Sequence, residues 1–263
     1  MTHFDEEENR LARVLLVLSA LLLISFTAFD ILDVFPIVSD SLKLSGIVLC
    51  FLFTASFLFF YNADSDRVVL MLSMFFAAAA DVFLLFTKEY LLGVILFCFV
   101  QEFHTIRIFS IHRSIVRMNG RISVSYRSYK IWKAMLLRNF IQFLPSAGLI
   151  AASFFIKINN APLFAAALFY GIGFVLNLIH AFCVSHDVRL LDDMRPLRYY
   201  AFGMFSYFIC DVLLAVTYLS TQVPFLSILE AYTKYIRLFL WPFYLIGMVM
   251  ITISGARRQS FYS

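Results

Sequence analysis

Residues 75–107 read FFAAAADVFLLFTKEYLLGVILFCFVQEFHTIR, and the rest of the chain takes its meaning from them. Two apolar runs flank a short polar hinge, Thr87-Lys88-Glu89. Each run is of the length that crosses a hydrocarbon core of about 30 Å as a helix. The first run nevertheless carries Asp81, and the second carries Gln101, Glu102 and His104. A charge inside a bilayer costs at least about 2.5 kcal/mol, so an ionisable residue there marks a candidate site. The plainer alternative is that Asp81 only hydrogen-bonds a neighbouring helix. A second copy of the pattern argues against chance: FSYFICDVLLA at residues 205–215 repeats the Asp-Val pair at Asp211 within apolar surroundings.

Composition extends this local conclusion to the whole chain. Of 263 residues, 62% are hydrophobic and only 14% charged, which excludes an ordinary soluble domain. The apolar residues fall in eight runs, at about residues 11–29, 44–61, 68–86, 90–110, 134–156, 163–184, 199–219 and 236–254. The expected fold is an all-α membrane protein, a single polytopic domain over residues 1–263 built as a bundle of eight transmembrane helices. Acidic residues, Asp5 to Glu8, stand where a secretory signal would be basic, so no cleaved leader is expected. Cys50, Cys98, Cys183 and Cys210 all lie inside apolar runs without metal-ligand spacing and read as packing residues. No metal and no cofactor is expected.

Basic residues orient the chain. The connector around residues 111–133 holds Arg113, Arg117, Arg121, Arg127, Lys130 and Lys133. Basic loops of this kind collect on the cytoplasmic face, which accounts for them without nucleic acid. With eight spans, Arg10, Arg13, Arg67, Arg189, Arg195, Arg198, Arg257 and Arg258 join them on one side. Only Lys43, Lys88, Lys157, Lys234 and Arg237 fall on the other. Both termini are therefore expected in the cytoplasm. Asp81 and Asp211 then sit in outward-running helices four spans apart, as a parallel four-helix duplication would place them.

The remaining intramembrane polar groups form stripes. Gly93, Phe97, Gln101 and His104 recur at i, i+4, i+8 and i+11, along one helix face. Tyr170, Gly173, Asn177 and His180 do the same in the sixth run. Glu102 points elsewhere, and Arg138 is its expected partner. Each amide or histidine alone reads as an interhelical hydrogen bond, worth about 1 kcal/mol. Two stripes together with two aspartates point to a shared polar interior.

The Gly93-x3-Phe97-x3-Gln101-x2-His104 spacing, following a span that carries an aspartate, resembles the YhhN/TMEM86 family, whose members include lysoplasmalogenases. The family pattern has His at the position of Gln101 and Tyr at that of His104. It also has a serine before the second aspartate, where Cys210 stands, and a glutamine in an aromatic last helix. Here that helix reads Trp241-Pro-Phe-Tyr244-Leu-Ile-Gly247. The resemblance implies an intramembrane hydrolase that cleaves the vinyl-ether bond of a lysophospholipid. Asp81 and Asp211 would be the acid–base pair, with Gln101, His104, Asn177 and Tyr244 binding substrate. The competing expectation is a non-enzymatic carrier or lipid-binding protein built on the same core. Either way the partner is a membrane lipid or lysophospholipid, with no nucleic acid and no stated oligomer. The Phe-rich composition and lack of a targeting motif favour a bacterial cytoplasmic membrane.

Overall fold

A chain segment that cannot hydrogen-bond to lipid must satisfy its own backbone, and the described residues answer with helices. The computed structural model describes residues 3–61, 65–118, 124–155, 160–187, 195–222 and 232–255. Eight α-helices occur among them: α1 (His3–Leu32), α2 (Pro36–Tyr61), α3 (Ser65–Val82), α4 (Tyr90–Met118), α5 (Val124–Ser153), α6 (Ala161–Asp187), α7 (Arg195–Gln222) and α8 (Thr233–Ile253). Seven of them are long and apolar enough to cross a membrane. The apolar part of α8, Leu238–Ile253, is shorter. Much of the basic connector is itself helical, because α4 runs on to Met118 and α5 starts at Val124. Pro145 lies within α5, which continues through it to Ser153. Asn119, Arg121, Lys157, Arg189, Pro224 and the tail pair Arg257-Arg258 lie outside the described residues.

The helices group into two units: α1, α2, α7 and α8 in one, α3 to α6 in the other. This grouping cuts across the sequential halves that a duplication would pair.

In the first unit the α1–α2 connection turns sharply. Asp33 and Phe35 adopt left-handed backbone (φ 56° and 51°), and Pro36, with its preset φ, opens α2. Asp30 holds the two helices together. It accepts from Ser39 Oγ at 2.5 Å and from Lys43 Nζ at 3.0 Å, while Asp40 takes a further contact from Lys43 at 3.4 Å. Lys43 and Asp40 therefore belong to α2 rather than to a loop.

The α7–α8 contact is closer still, and two glycines permit it. A Cβ on Gly203 would stand 2.8 Å from the Gly247 carbonyl oxygen. One on Gly247 would stand 2.9 Å from both the Gly203 oxygen and the Tyr207 nitrogen. Backbone meets backbone here, the packing that small residues allow in membranes. Ser206 Oγ adds a hydrogen bond to the Phe243 carbonyl at 2.8 Å.

In the second unit, α3 does not pass smoothly into α4. Phe83–Thr87 forms a π-helical turn, closed by Thr87 Oγ1 donating to the Phe83 carbonyl at 2.9 Å. Lys88 then reverses the chain in left-handed backbone at φ 58°. The expected hinge at Thr87-Lys88-Glu89 is thus present. Gly93 packs α4 against this turn, since a Cβ there would meet the Leu84 side chain at 2.6 Å.

Crowding of backbone atoms cannot be relieved by a rotamer change. Gly203→Ala and Gly247→Ala should each destabilise the protein by about 1–3 kcal/mol. Gly148, with open space around it, should accept alanine without loss. Apparent melting temperatures in detergent, followed by size-exclusion chromatography, check both expectations.

Candidate functional site

The stripe on α3 that faces α4 is set by helical spacing: Asp66, Leu70, Ser73, Ala77 and Ala80 are buried at intervals of three and four. Opposite it, α4 buries Gln101, His104, Arg107 and Ile108. Small residues towards the end of α3 let the helices close, and the polar groups meet in pairs. Arg107 grips Asp66 with both arms of its fork, Nε to Oδ1 at 3.1 Å and Nη2 to Oδ2 at 3.2 Å. Asp66 is 1% exposed and Arg107 2%. Three residues earlier on α4, His104 shares a hydrogen bond with Ser73 Oγ at 3.2 Å. Which imidazole tautomer is present follows from its second partner.

This ion pair was missed at the level of sequence. Arg67, counted among the basic residues on the cytoplasmic side, is buried within α3 along with Asp66. The spacing holds the signal: Arg107 follows His104 by three residues, on the same face as the polar stripe of that span.

The two stripes on α4 and α6 meet. Asn177, fully buried, donates its amide to both the backbone and side-chain oxygens of Gln101, each at 2.9 Å. Its own Oδ1 accepts from Thr105 Oγ1 at 3.1 Å. Phe97 and Tyr170 pack one level away, ring centres 5.9 Å apart. At the other end of the stripe His112 and His180 contact through ring nitrogens at 3.1 Å. Glu102 looks away, as expected, but its hydrogen bond comes from Asn139 at 3.5 Å. Arg138, whose charge also acts on Glu102, donates to the Gly173 carbonyl at 2.6 Å.

Asp81 belongs to this same unit. It is 2% exposed and lies next to last in α3, two residues before the π turn begins at Phe83. Such turns recur at functional sites because they re-aim side chains.

Asp211 and Tyr244 lie in the other unit. Asp211 is half-buried on α7, one turn beyond Tyr207. Tyr244 is buried in an aromatic cluster, 5.2 Å from the Tyr207 ring and 5.4 Å from that of Trp241. The Lys43 ammonium sits over Trp241 at 5.5 Å, within cation–π range. The six candidate residues thus divide into Asp81, Gln101, His104 and Asn177 in one unit and Asp211 and Tyr244 in the other. Among the described residues, no group of three or more His, Cys, Asp or Glu is placed to hold a metal. No protein-family model, curated protein or solved structure matches this chain.

Removing one member of a buried ion pair strands the other charge. Asp66→Asn and Arg107→Gln should each cost about 3–5 kcal/mol. The double variant Asp66→Leu/Arg107→Leu should recover most of that, because neither charge then remains buried. A double-mutant cycle on thermal stability in detergent measures the coupling.

Proposed function

We propose that this chain is an intramembrane hydrolase acting on the vinyl-ether bond of a lysophospholipid, with Asp81 and Asp211 dividing the acid and base roles. The observation that carries the reading is Asp81: an aspartate fully buried in a helix of membrane length, two residues before a π turn. The spacing of Gly93, Phe97, Gln101 and His104 adds the resemblance to lysoplasmalogenase-like proteins.

The chemistry sets what the residues must do. One carboxylic acid delivers a proton to the alkene carbon remote from oxygen, which leaves an oxocarbenium ion. The second, ionised carboxylate stabilises that cation and takes a proton from the attacking water. The resulting hemiacetal collapses to a long-chain aldehyde and a free glycerol hydroxyl. Two carboxyl groups perform both tasks only if their environments push their pKa values apart. Gln101, His104, Asn177 and Tyr244 are the groups we assign to holding the substrate.

A second reading has its own support. Gln101 Oε1 with Asn177, His104 with Ser73, and Arg107 with Asp66 already bond to one another within the protein, although Gln101 Nε2 has no hydrogen-bond partner among the described residues. That economy suits a lipid-binding or transport protein whose polar core is structural.

Purified protein supplied with radiolabelled lysoplasmalogen separates the two readings. Release of aldehyde, falling by orders of magnitude in well-folded Asp81→Asn and Asp211→Asn variants, supports the hydrolase. Near-normal turnover in either variant removes that aspartate from the mechanism, and no turnover by the unaltered protein favours the binding protein.

Eight spans, with both termini cytoplasmic and a parallel duplication equating Asp81 with Asp211, complete the proposed architecture in a bacterial cytoplasmic membrane. Reporters fused after Ser263 and inserted at Asn119 should both lie in the cytoplasm. An external signal from either would overturn the eight-span arrangement.

A further inference from the structure

His112 on α4 and His180 on α6 meet ring to ring, with His112 Nδ1 at 3.1 Å from His180 Nε2 and the ring planes at 76°. Phe109, one turn earlier on α4, packs edge-on against the same His180 ring with centres 4.7 Å apart. Both histidines are half-buried, whereas His104 is fully buried.

Two ring nitrogens at this distance form a hydrogen bond only if one carries a proton and the other is bare. Two neutral rings meet that condition, and so does a neutral ring facing an imidazolium. Two imidazolium rings do not. Each then offers only N–H groups, and two positive charges face each other with ring centres 5.3 Å apart.

The surroundings supply no relief for that doubly charged state. Arg138 on α5 acts on His180 through its charge, and Arg113 follows His112 on α4. Cys183 and His186 lie exposed further along α6. None of these is an acid, and the carboxylate of Glu102 interacts through charge with Arg138.

The contact holds one end of a helix. One turn before His180, Asn177 ties α6 to Gln101 and Thr105 of α4. Beyond His180, α6 continues to Asp187 with Ala181 and Val184 buried. Apolar helix faces gain little from one another where lipid chains can replace either, so polar bonds decide whether such a seam stays closed.

We propose that the His112–His180 contact is a proton-operated latch, which closes the end of α6 on α4 while at most one ring is protonated and releases residues 180–187 when both are. Asn177 stays bonded and serves as the pivot. The contact is present above the pH at which the second proton binds and is lost as pH falls through it. The latch uses neither Asp81 nor Asp211 and does not rest on the hydrolase reading.

The test uses the full chain in phosphatidylcholine nanodiscs, carrying Cys50→Ala, Cys98→Ala and Cys210→Ala. Spin labels go on the native Cys183 and on Ile106→Cys, both at exposed positions. Over a series from about pH 8 to about pH 4, which brackets ordinary imidazole titration, nitrogen-15 spectra of the histidine rings report the protons bound. The label separation should lengthen by about 2–5 Å, the scale of helix shifts, in step with the second protonation and not with the first. His112→Gln should stay closed throughout, because an amide donates to a neutral ring and accepts from a protonated one. His180→Gln is the second variant and should behave alike if His112→Gln fails to fold. An unchanged separation while both rings are protonated overturns the latch, as does a pair that takes up no second proton down to the end of the series. Lengthening in the glutamine variants equal to that of the unaltered pair assigns the movement to other groups and overturns it too.

Discussion

A charge carried into a helix of membrane length has to find its counter-charge within the protein, and the Arg107–Asp66 fork is where this chain meets that demand. Desolvating either group alone costs several kcal/mol, and lipid offers no substitute partner. The pairing thereby fixes the register of α4 on α3. A shift of one residue on either helix would turn Asp66 or Arg107 away by about 100°. With that register set, His104 falls opposite Ser73, and Phe76 lies between the rings of Phe99 and Phe103 at 5.4 and 5.5 Å. Polar complementarity does here what hydrophobic burial does in a soluble core, because lipid removes the preference of one apolar face over another.

The same rule bears on the residues at positions 101 and 247. Glutamine at position 101 offers an acceptor to the Asn177 amide, and Asn177 in turn satisfies Thr105. A histidine there would have to reach the same amide with a ring nitrogen. Glycine at position 247 has a steric reason instead. Its missing side chain is where the Gly203 carbonyl and the Tyr207 backbone sit, so a glutamine could not be accommodated without separating α7 from α8. The aromatic cluster of Tyr207, Trp241 and Tyr244 depends on that closeness.

Much of this was legible in the sequence, for a physical reason. Apolar length and helical periodicity are local properties, so the helices, the hinge at Lys88 and the buried faces of α4 and α6 follow from residue spacing. Pairing across helices is not local. Gln101 and Asn177 were each recognisable as buried, but nothing in either segment says that they bond to each other. Glu102 shows the limit: Arg138, its expected partner, acts on it through charge, but the hydrogen bond from the adjacent Asn139 and the one Arg138 donates to a carbonyl are not legible in the spacing. Asp66 and Lys43 stand just before the apolar runs that begin at about residues 68 and 44, so the runs alone do not show them as buried. Both are buried, because α2 and α3 begin earlier than their apolar runs do.

The grouping of helices bears on how a repeat should be understood. A duplication of α1–α4 onto α5–α8 would make Asp81 and Asp211 equivalent by descent, but equivalence of that kind does not require equivalent surroundings. Asp81 is buried at the mouth of a π turn, within a unit rich in amides and histidine. Asp211 is half-buried on a regular helix, next to a cluster of aromatic rings. A repeat read from the two Asp-Val pairs would therefore relate two backbone positions while leaving each aspartate to be fixed by the side chains of its own unit.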